Sequence, residues 1–347
     1  MPSKSKNILH KENHKPNKLL GQNFLRDKKI LNKIIAAANL TTKDNVLEIG
    51  PGLGVLTREL AKRSSRVIAV EKDKTLAEIL TKQLTEEKIE NVEVVADDIL
   101  KINRQALFGR HPDPAVAGEG SPARLAEAIA KRANAGRTFV RDSSLRLRSA
   151  QNDNAVSYKV VANIPYYLTS HLIRLLLEGD NPPTDIILMI QKEVAKRICA
   201  KPPRMSLLSV SVQFYANAKI IASVSKNFFW PKPKVDSAII RITPHNNFFP
   251  LYKRGIEGDL KSLPLRVLPL KKGGVENFFR VLHSGFSHPR KQLLNNLSAG
   301  LAIPRDKISA ILQSADIKPQ QRAETLSVED WIKLTKLFFY PTKDLNY

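Results

Sequence analysis

The apolar positions of this chain change period along its length. Short runs at 46–49 (VLEI), 66–70 (RVIAV), 92–95, 159–162 and 185–190 (DIILMI) have the length and β-branched content of strands buried on both faces. Between them the spacing is helical. A helix over 28–38 places Ile30, Leu31, Ile34 and Ile35 on one face behind Asp27 as N-cap, and others are predicted in VLTRELAKR, at roughly 73–85, from Thr169 or Ser170 onward, and in QKEVAKRICA. MSLLSVSVQFYA predicts a further helix, 219–224 a strand, 229–233 (FWPKP) a rigid extended loop, and 236–243 (DSAIIRIT) a closing strand. LGQNFL at 20–25 reads as a turn before a helix. From about 246 strands disappear, and NFFRVLHSGFSHPRKQLLNNL, DKISAILQSA and SVEDWIKLTKLFF predict three helices. Strands alternating with helices, then helices alone, predict a doubly wound α/β sheet followed by a smaller all-α domain.

Three stretches break the pattern. Residues 1–18 carry Lys4, Lys6, Lys11, Lys15 and Lys18 against Glu12 and read as a basic flexible tail. Residues 103–155 mix Gly, Ala, Ser, Pro and Arg with few large apolar side chains, and a connection this long is expected to be an insertion. A shorter Gly/Pro/basic insertion is expected at 253–274. The expected domains are therefore 19–245 for the sheet and 246–347 for the helices.

Charge narrows the partners. With 56 Lys and Arg against 33 Asp and Glu, the 347-residue chain has a formal net charge of +23. Such an excess suits a polyanion, either nucleic acid or an anionic membrane surface, and favours nucleic acid over merely solvated lysine-rich faces. The single cysteine, Cys199, rules out an internal disulfide and reads as a small hydrophobe in a helix. No Cys/His cluster has metal-ligand spacing, so no metal is expected. No apolar run approaches the roughly 18 residues of a membrane span, and the basic N-terminal stretch lacks the apolar segment of a secretory signal. The expected setting is cytoplasmic, without a membrane partner, and the expected state is monomeric.

The strand at 46–49 breaks into Gly50-Pro51-Gly52-Leu53-Gly54 and resumes as a helix. Glycines let the backbone pass close to a ligand. The spacing is G-x-G-x-G, not the dinucleotide G-x-G-x-x-G. Glu48 lies two residues before the first glycine, and Pro51 has no amide for a pyrophosphate. This turn, with Gly50 and Gly52, resembles the S-adenosylmethionine (SAM) loop of Rossmann-like methyltransferases; another nucleotide ligand and a simple tight turn are the alternatives. Glu71, at the end of the second run, is placed to accept from a ribose diol. A carboxylate of Asp97-Asp98, at the end of the third, can accept from an adenine amino group. The lesser alternative for either acid alone is an ordinary strand-end turn residue. Together they lie at successive strand C-termini, where such sheets bind ligands.

Asn163-Ile164-Pro165-Tyr166, at the end of a fourth strand, carries the sharpest chemistry. An exocyclic adenine amine is a poor nucleophile because its lone pair is delocalised. The Asn163 amide oxygen and the Pro165 carbonyl can each accept one N–H, turning the lone pair toward a methyl donor. Tyr166 offers a flat face to the base, and Phe229 is a candidate for the opposite wall. A base within a duplex cannot reach such a pocket and must be flipped out or unpaired.

LGQNFL, VLEIGPGLG, VEKD, ADDIL, NIPYYLTS, FWPKPKVDSAIIRI and the late HPRKQLLNNL and RAETLS occur in the order seen in the ribosomal RNA adenine dimethyltransferase family, which this chain resembles, nearest its small-subunit branch. The resemblance implies a Rossmann-like class I SAM-dependent methyltransferase sheet with an all-α, RNA-binding C-terminal domain. It implies SAM contacts at Asn23, Leu25, Gly50, Glu71, Asp98 and Asn163, with Asp98 chosen over Asp97 because it directly precedes Ile99-Leu100. Adenine handling falls on Asn163, Pro165, Tyr166 and Phe229. The implied reaction is N6,N6-dimethylation of two adjacent adenosines in the 3′-terminal hairpin of 16S rRNA, on the immature small ribosomal subunit. Arg290 and Lys291 are candidate RNA contacts. The family's Tyr-Gly before the LSV helix is absent (Pro203-Arg204-Met205-Ser206-Leu207 here), and its arginine-rich run before the late helix starts His288-Pro289; both departures bear on local RNA contacts. The alternatives are a 23S rRNA methyltransferase of the macrolide-resistance type and a non-catalytic RNA-binding assembly factor on the same fold.

Overall fold

The computed structural model describes residues 16–17, 21–102, 156–179, 181–245 and 273–340. The tail expected at 1–18, apart from residues 16–17, the insertion expected at 103–155, and all but the last two residues of that expected at 253–274 lie outside the described residues. In chain order the elements are β1 (Phe24–Leu25), α1 (Lys28–Ala38), β2 (Asn45–Ile49), α2 (Val55–Ala61), β3 (Arg66–Glu71), α3 (Lys74–Glu86), β4 (Val92–Ala96), β5 (Tyr158–Asn163), a 3₁₀ turn (Tyr166–Leu168), α4 (Thr169–Leu177) and β6 (Asp185–Gln191). They continue as α5 (Lys192–Ile198), α6 (Leu207–Tyr215), β7 (Ala216–Val224), β8 (Phe229–Trp230), β9 (Ser237–Pro244), α7 (Gly274–Gly285), α8 (Leu293–Leu301), α9 (Arg305–Ser314) and α10 (Val328–Phe339).

Among the described residues the main sheet runs β4-β3-β2-β5-β6-β9-β7. Strands β2, β3 and β4 pair in parallel, and so do β2, β5 and β6. Except for half-buried β4, the expected parallel strands form because their apolar runs are buried on both faces: Val46, Leu47, Val67, Ala69, Val160, Val161 and Ile186 are wholly inaccessible. Two helices of the first unit, α1 and α3, begin at aspartate caps. The Asp27 carboxylate accepts the Ile30 N–H at 2.9 Å, as expected, and Asp73 accepts the Leu76 N–H at 3.3 Å. From β2 the chain steps outward to β3 and β4, then returns to the other side of β2 as β5. The order of strands therefore reverses between β2 and β5, where an open α/β sheet leaves a crevice at its carboxyl edge.

The chain forms two compact units, Met1–Ile190 with Val224–Ile239 and Gln191–Ser223 with Ile240–Tyr347. The second thus takes in α5, α6 and most of β7 besides the C-terminal helices. Aromatic contact explains this: Phe214 of α6 stacks on Phe278 of α7 with ring centroids 4.0 Å apart.

Three local expectations are corrected. LGQNFL is not only a turn, and FWPKP is not only an extended loop. Phe24 pairs with Trp230 and Leu25 with Phe229 as a two-stranded antiparallel sheet. The Phe24 and Trp230 rings lie 6.4 Å apart, and Phe24 joins a buried cluster with Leu53, Leu76 and Ile79. Two-residue strands carry no period. The three late helices are four, because the first predicted run breaks at Pro289 into α7 and α8. Buried Asn296 holds that break, donating to the Gly285 and His288 carbonyls at 2.7 and 3.0 Å.

Gly54 begins α2 at φ 72°, and a Cβ there would overlap Leu80 Cδ1 and lie 2.6 Å from Arg58 Nη1. That same Nη1 donates to the Leu53 and Gly54 carbonyls at 2.9 Å, tying the turn to the helix. Gly54→Ala is expected to destabilise the fold by about 2–4 kcal/mol, left-handed strain adding to overfilling. Chemical denaturation reads this directly, and an unchanged midpoint would contradict it.

Candidate active site

An open cleft of about 1140 Å³, its mouth included, lies in the first unit. It is built on the carboxyl ends of four parallel strands: the glycine turn after β2, Glu71 at the end of β3, Asp97-Asp98 after β4, and Asn163 at the end of β5. Asn23, Leu25, Gly50, Gly52, Glu71, Asp98, Asn163, Pro165, Tyr166 and Phe229 all line it. Arg290 and Lys291 are not part of that lining and stand on the exposed turn between α7 and α8 in the second unit. Among the described residues no group of three or more His, Cys, Asp or Glu side chains could hold a metal ion, and no helix is long and apolar enough to cross a membrane.

The turn 50–54 needs its glycines. Gly50, Gly52 and Gly54 all have positive φ, and a Cβ on Gly52 would meet the Phe24 ring at 3.0 Å. The turn is held from the side by Glu71, which is 7% exposed: one carboxylate oxygen accepts the Gly52 N–H and the other the Asp73 N–H, each at 3.0 Å. Burial nevertheless pushes the Glu71 carboxyl above its ordinary pKa. Each oxygen keeps one lone pair for a ligand.

Asp98 is partly buried, whereas Asp97 is exposed and folds back to accept the Asp98 N–H at 2.6 Å. Burial works against ionisation of Asp98, but the Lys72 ammonium at 2.9 Å and the Leu100 N–H at 3.1 Å outweigh it and hold its carboxyl below the usual range.

Asn163 donates Nδ2–H to the Asn23 carbonyl at 3.2 Å, which clamps the segment before β1 to the end of β5. Its Oδ1 has no protein partner among the described residues and remains an acceptor at the cleft. The Pro165 carbonyl accepts the Leu168 N–H at 3.1 Å, so one lone pair of that oxygen remains. The Tyr166 hydroxyl is hydrogen-bonded to that of Ser237 at 2.8 Å, and burial raises its pKa. Phe229, 3% exposed, is fixed by the β1–β8 pairing.

Sequence reasoning missed several supporting groups. Lys72, next to Glu71, is the counter-ion of Asp98. Gln22 donates to Asp73 at 2.8 Å, joining the N-terminal segment to the loop after β3. Their adjacency to singled-out residues was the available signal. Ser237 had none, since it meets Tyr166 only through the fold.

Glu48 is the unexpected group. It is 1% exposed in the cleft wall, and its Oε2 has no hydrogen-bond partner. Burial, with Glu71 nearby adding repulsion, pushes its carboxyl up to about 8. The folded protein therefore holds a proton that the unfolded chain releases near the ordinary carboxylate pKa. The associated stability is present below that value and is lost as pH rises through about 8. Glu48→Gln keeps the shape and removes the titration. Its melting temperature relative to the parent is expected to climb as pH is raised from about 5 to about 9; a difference independent of pH would contradict the assignment.

The family model described as ribosomal RNA adenine dimethylase matches residues 13–254. The chain is 36% identical over 332 residues to a ribosomal RNA small subunit methyltransferase A of Dehalococcoides mccartyi, covering 96% of this chain and 91% of the relative. A protein of the same name from Clostridioides difficile is 34% identical over 338 residues, covering 96% and 94%. Among solved structures, a dimethyladenosine transferase from Plasmodium falciparum aligns with a TM-score of 0.62 at 23% identity, over 90% of this chain and 95% of that one. The 23S rRNA methyltransferase ErmE aligns with a TM-score of 0.57 at 24% identity, over 90% and 98%. The two structures share the fold with this chain: a Rossmann-like α/β sheet with a helical C-terminal part. By the family match and the near-full-length relatives, the chain belongs to the ribosomal RNA adenine dimethylase family.

Proposed function

We propose that this protein transfers methyl groups from SAM to the N6 atoms of two adjacent adenosines in the 3′-terminal hairpin of 16S rRNA, on the immature small subunit, dimethylating each. The observation that carries this reading is that Asn163, whose Nδ2 is held by the Asn23 carbonyl and whose Oδ1 has no hydrogen-bond partner among the described residues, lines the same cleft as the glycine turn and its buried acids. The small-subunit target is supported by the names of the relatives at 34–36% identity, and it is favoured over 23S rRNA on that ground.

The residues fit an adenosyl donor with a cationic end. The Gly52 backbone lies bare on one side, Glu71 keeps acceptor capacity for a ribose diol, and Asp98 keeps it for an adenine amine. Buried Glu48 places in the cleft wall a carboxyl that a cationic donor end would help to ionise. Asn23, Leu25, Gly50 and Asn163 complete the set that would hold the donor. When bound, SAM supplies an electrophilic methyl on a sulfonium sulfur.

The chain's own part is positioning. Asn163 Oδ1 accepts one N–H of the target amine, and the remaining lone pair of the Pro165 carbonyl is available to the other. The Tyr166 ring, anchored through its hydroxyl, offers its face to a flipped base, and Phe229 walls the opposite side. Apolar Leu25, Ile164 and Leu168 line the cleft and keep water from the reacting atoms. Arg290 and Lys291, exposed on their turn, would neutralise phosphates of the hairpin, in keeping with the net charge of +23.

The test is mass spectrometry of adenosines near the 3′ end of 16S rRNA after incubation with SAM and unmethylated small subunits. Two adjacent N6,N6-dimethyladenosines are expected. Asn163→Ala should lower kcat by about 100-fold or more while SAM affinity stays within about tenfold, because the lost acceptor acts on the amine. Wild-type-like turnover by that variant would remove Asn163 from the chemistry.

A further inference from the structure

Tyr167 leaves 53% of its surface exposed, more than any other large apolar side chain among the described residues. It is no loose surface residue, since it also lines the cleft. Its backbone is the centre of the 3₁₀ turn that the Leu168 N–H closes onto Pro165 at 3.1 Å and that Thr169 Oγ1 fastens to the Tyr166 carbonyl at 3.0 Å. On one side Tyr166 is anchored to Ser237, and on the other Leu168 is buried. The Tyr167 ring is thus displayed at the cleft by a fixed turn, and its hydroxyl makes no hydrogen bond to a described residue.

The neighbours of the ring leave it open. Gly21 has no side chain, and a Cβ there would stand 3.8 Å from Tyr167 Cδ1. Lys72, half exposed, holds Asp98 at 2.9 Å and stands within electrostatic reach of Tyr167. An exposed aromatic ring at a cleft, with positive charge within electrostatic reach, is a combination that binds single-stranded nucleic acid, the ring by stacking on a base and the charge by favouring the backbone.

We propose that the Tyr167 ring stacks on the nucleotide adjacent to the adenosine held at Asn163. This rests on the adenosine methyltransferase reading above. Flipping one base into the cleft strips its neighbour of a stacking partner, and the neighbour stays at the mouth because one phosphodiester joins the two. The exposed ring restores that stacking. Because a base stacks through its π-face and not its amine edge, the ring accepts adenosine and dimethyladenosine alike. The same contact therefore serves whichever of the two adjacent targets is in the cleft.

The experiment uses small subunits assembled on 16S rRNA in which the neighbouring adenosine is either intact or an abasic nucleotide, reading methylation of the remaining adenosine. Tyr167→Ala is expected to raise the KM for the intact subunit about tenfold or more, with kcat and the SAM dissociation constant each within about threefold, and Tyr167→Phe to behave as the parent. The abasic neighbour should raise the parent's KM by a similar factor and add nothing further to Tyr167→Ala. Losses that multiply when the two changes are combined, an unchanged KM in Tyr167→Ala, or weakened SAM binding would overturn the stacking assignment. If the parent methylates no adenosine of the intact subunit, the methyltransferase reading fails, and this contact with it.

Discussion

The parallel pairing of β2 with β5 is the constraint on which the rest of the site depends. Asn45 faces Tyr158, Val46 faces Lys159 and Leu47 faces Val160. Over a hundred residues separate these strands in the chain, yet their register delivers the glycine turn and Asn163 to the same edge. A Cβ at Gly50 would lie 3.7 Å from Pro165 Cδ and 4.0 Å from the Asn163 carbonyl, which measures how closely the two loops meet. Because the strands are buried on both faces, a one-residue slip would move apolar side chains out of register across the whole sheet. The glycine turn and Asn163 therefore cannot drift apart without cost to the core itself.

On that frame the electrostatics follow from burial. Glu71 is spared full isolation by two backbone N–H groups, whereas Glu48 has one oxygen without a partner and keeps its proton well above the ordinary range. Asp98 is nearer to solvent and is held ionised by Lys72. The three acids thus differ in how readily they ionise through surroundings alone: burial pushes Glu48 and Glu71 up, while Lys72 and the Leu100 N–H hold Asp98 down. In the proposed reaction that gradation suits a donor whose neutral adenosyl end meets hydrogen-bond acceptors and whose cationic end meets an acid able to ionise. The β1–β8 pair closes the arrangement. It carries Phe24 over Gly52 and places Phe229 at the cleft, while Asn163 and Gln22 tether the segment before it.

Much of this was legible from residues because parallel strands buried in a sheet advertise themselves as short, mainly apolar, β-branched runs, a signal that half-buried β4 also carries. The runs at 46–49, 66–70, 92–95, 159–162 and 185–190 all became strands within a residue of their expected ends, and Asp27 caps its helix as read. The three acidic or amide signals at strand ends were visible for the same reason, since each follows such a run. What escaped depended on contacts between distant segments. Neither Phe24 nor Trp230 shows a strand period, because each belongs to a strand of two residues made only by meeting the other. Ser237 acquires its role from Tyr166, 71 positions away. The break at Pro289 was hidden by apolar residues that continue the helical spacing across it, while the Asn296 side-chain amide makes the break stable by donating to the Gly285 and His288 carbonyls.

The central claim is that one cleft, made where the strand order reverses, holds both the methyl donor and the amine it modifies. The most direct measurement is a crystal structure of the full chain with S-adenosylhomocysteine. The account predicts the ribose hydroxyls on Glu71, the adenine amine toward Asp98, the sulfur facing the side of the cleft where Asn163 Oδ1 projects, and Tyr166 and Phe229 flanking open space beyond it. Density for the ligand away from the glycine turn, or an Asn163 amide oxygen turned from the sulfur, would contradict it.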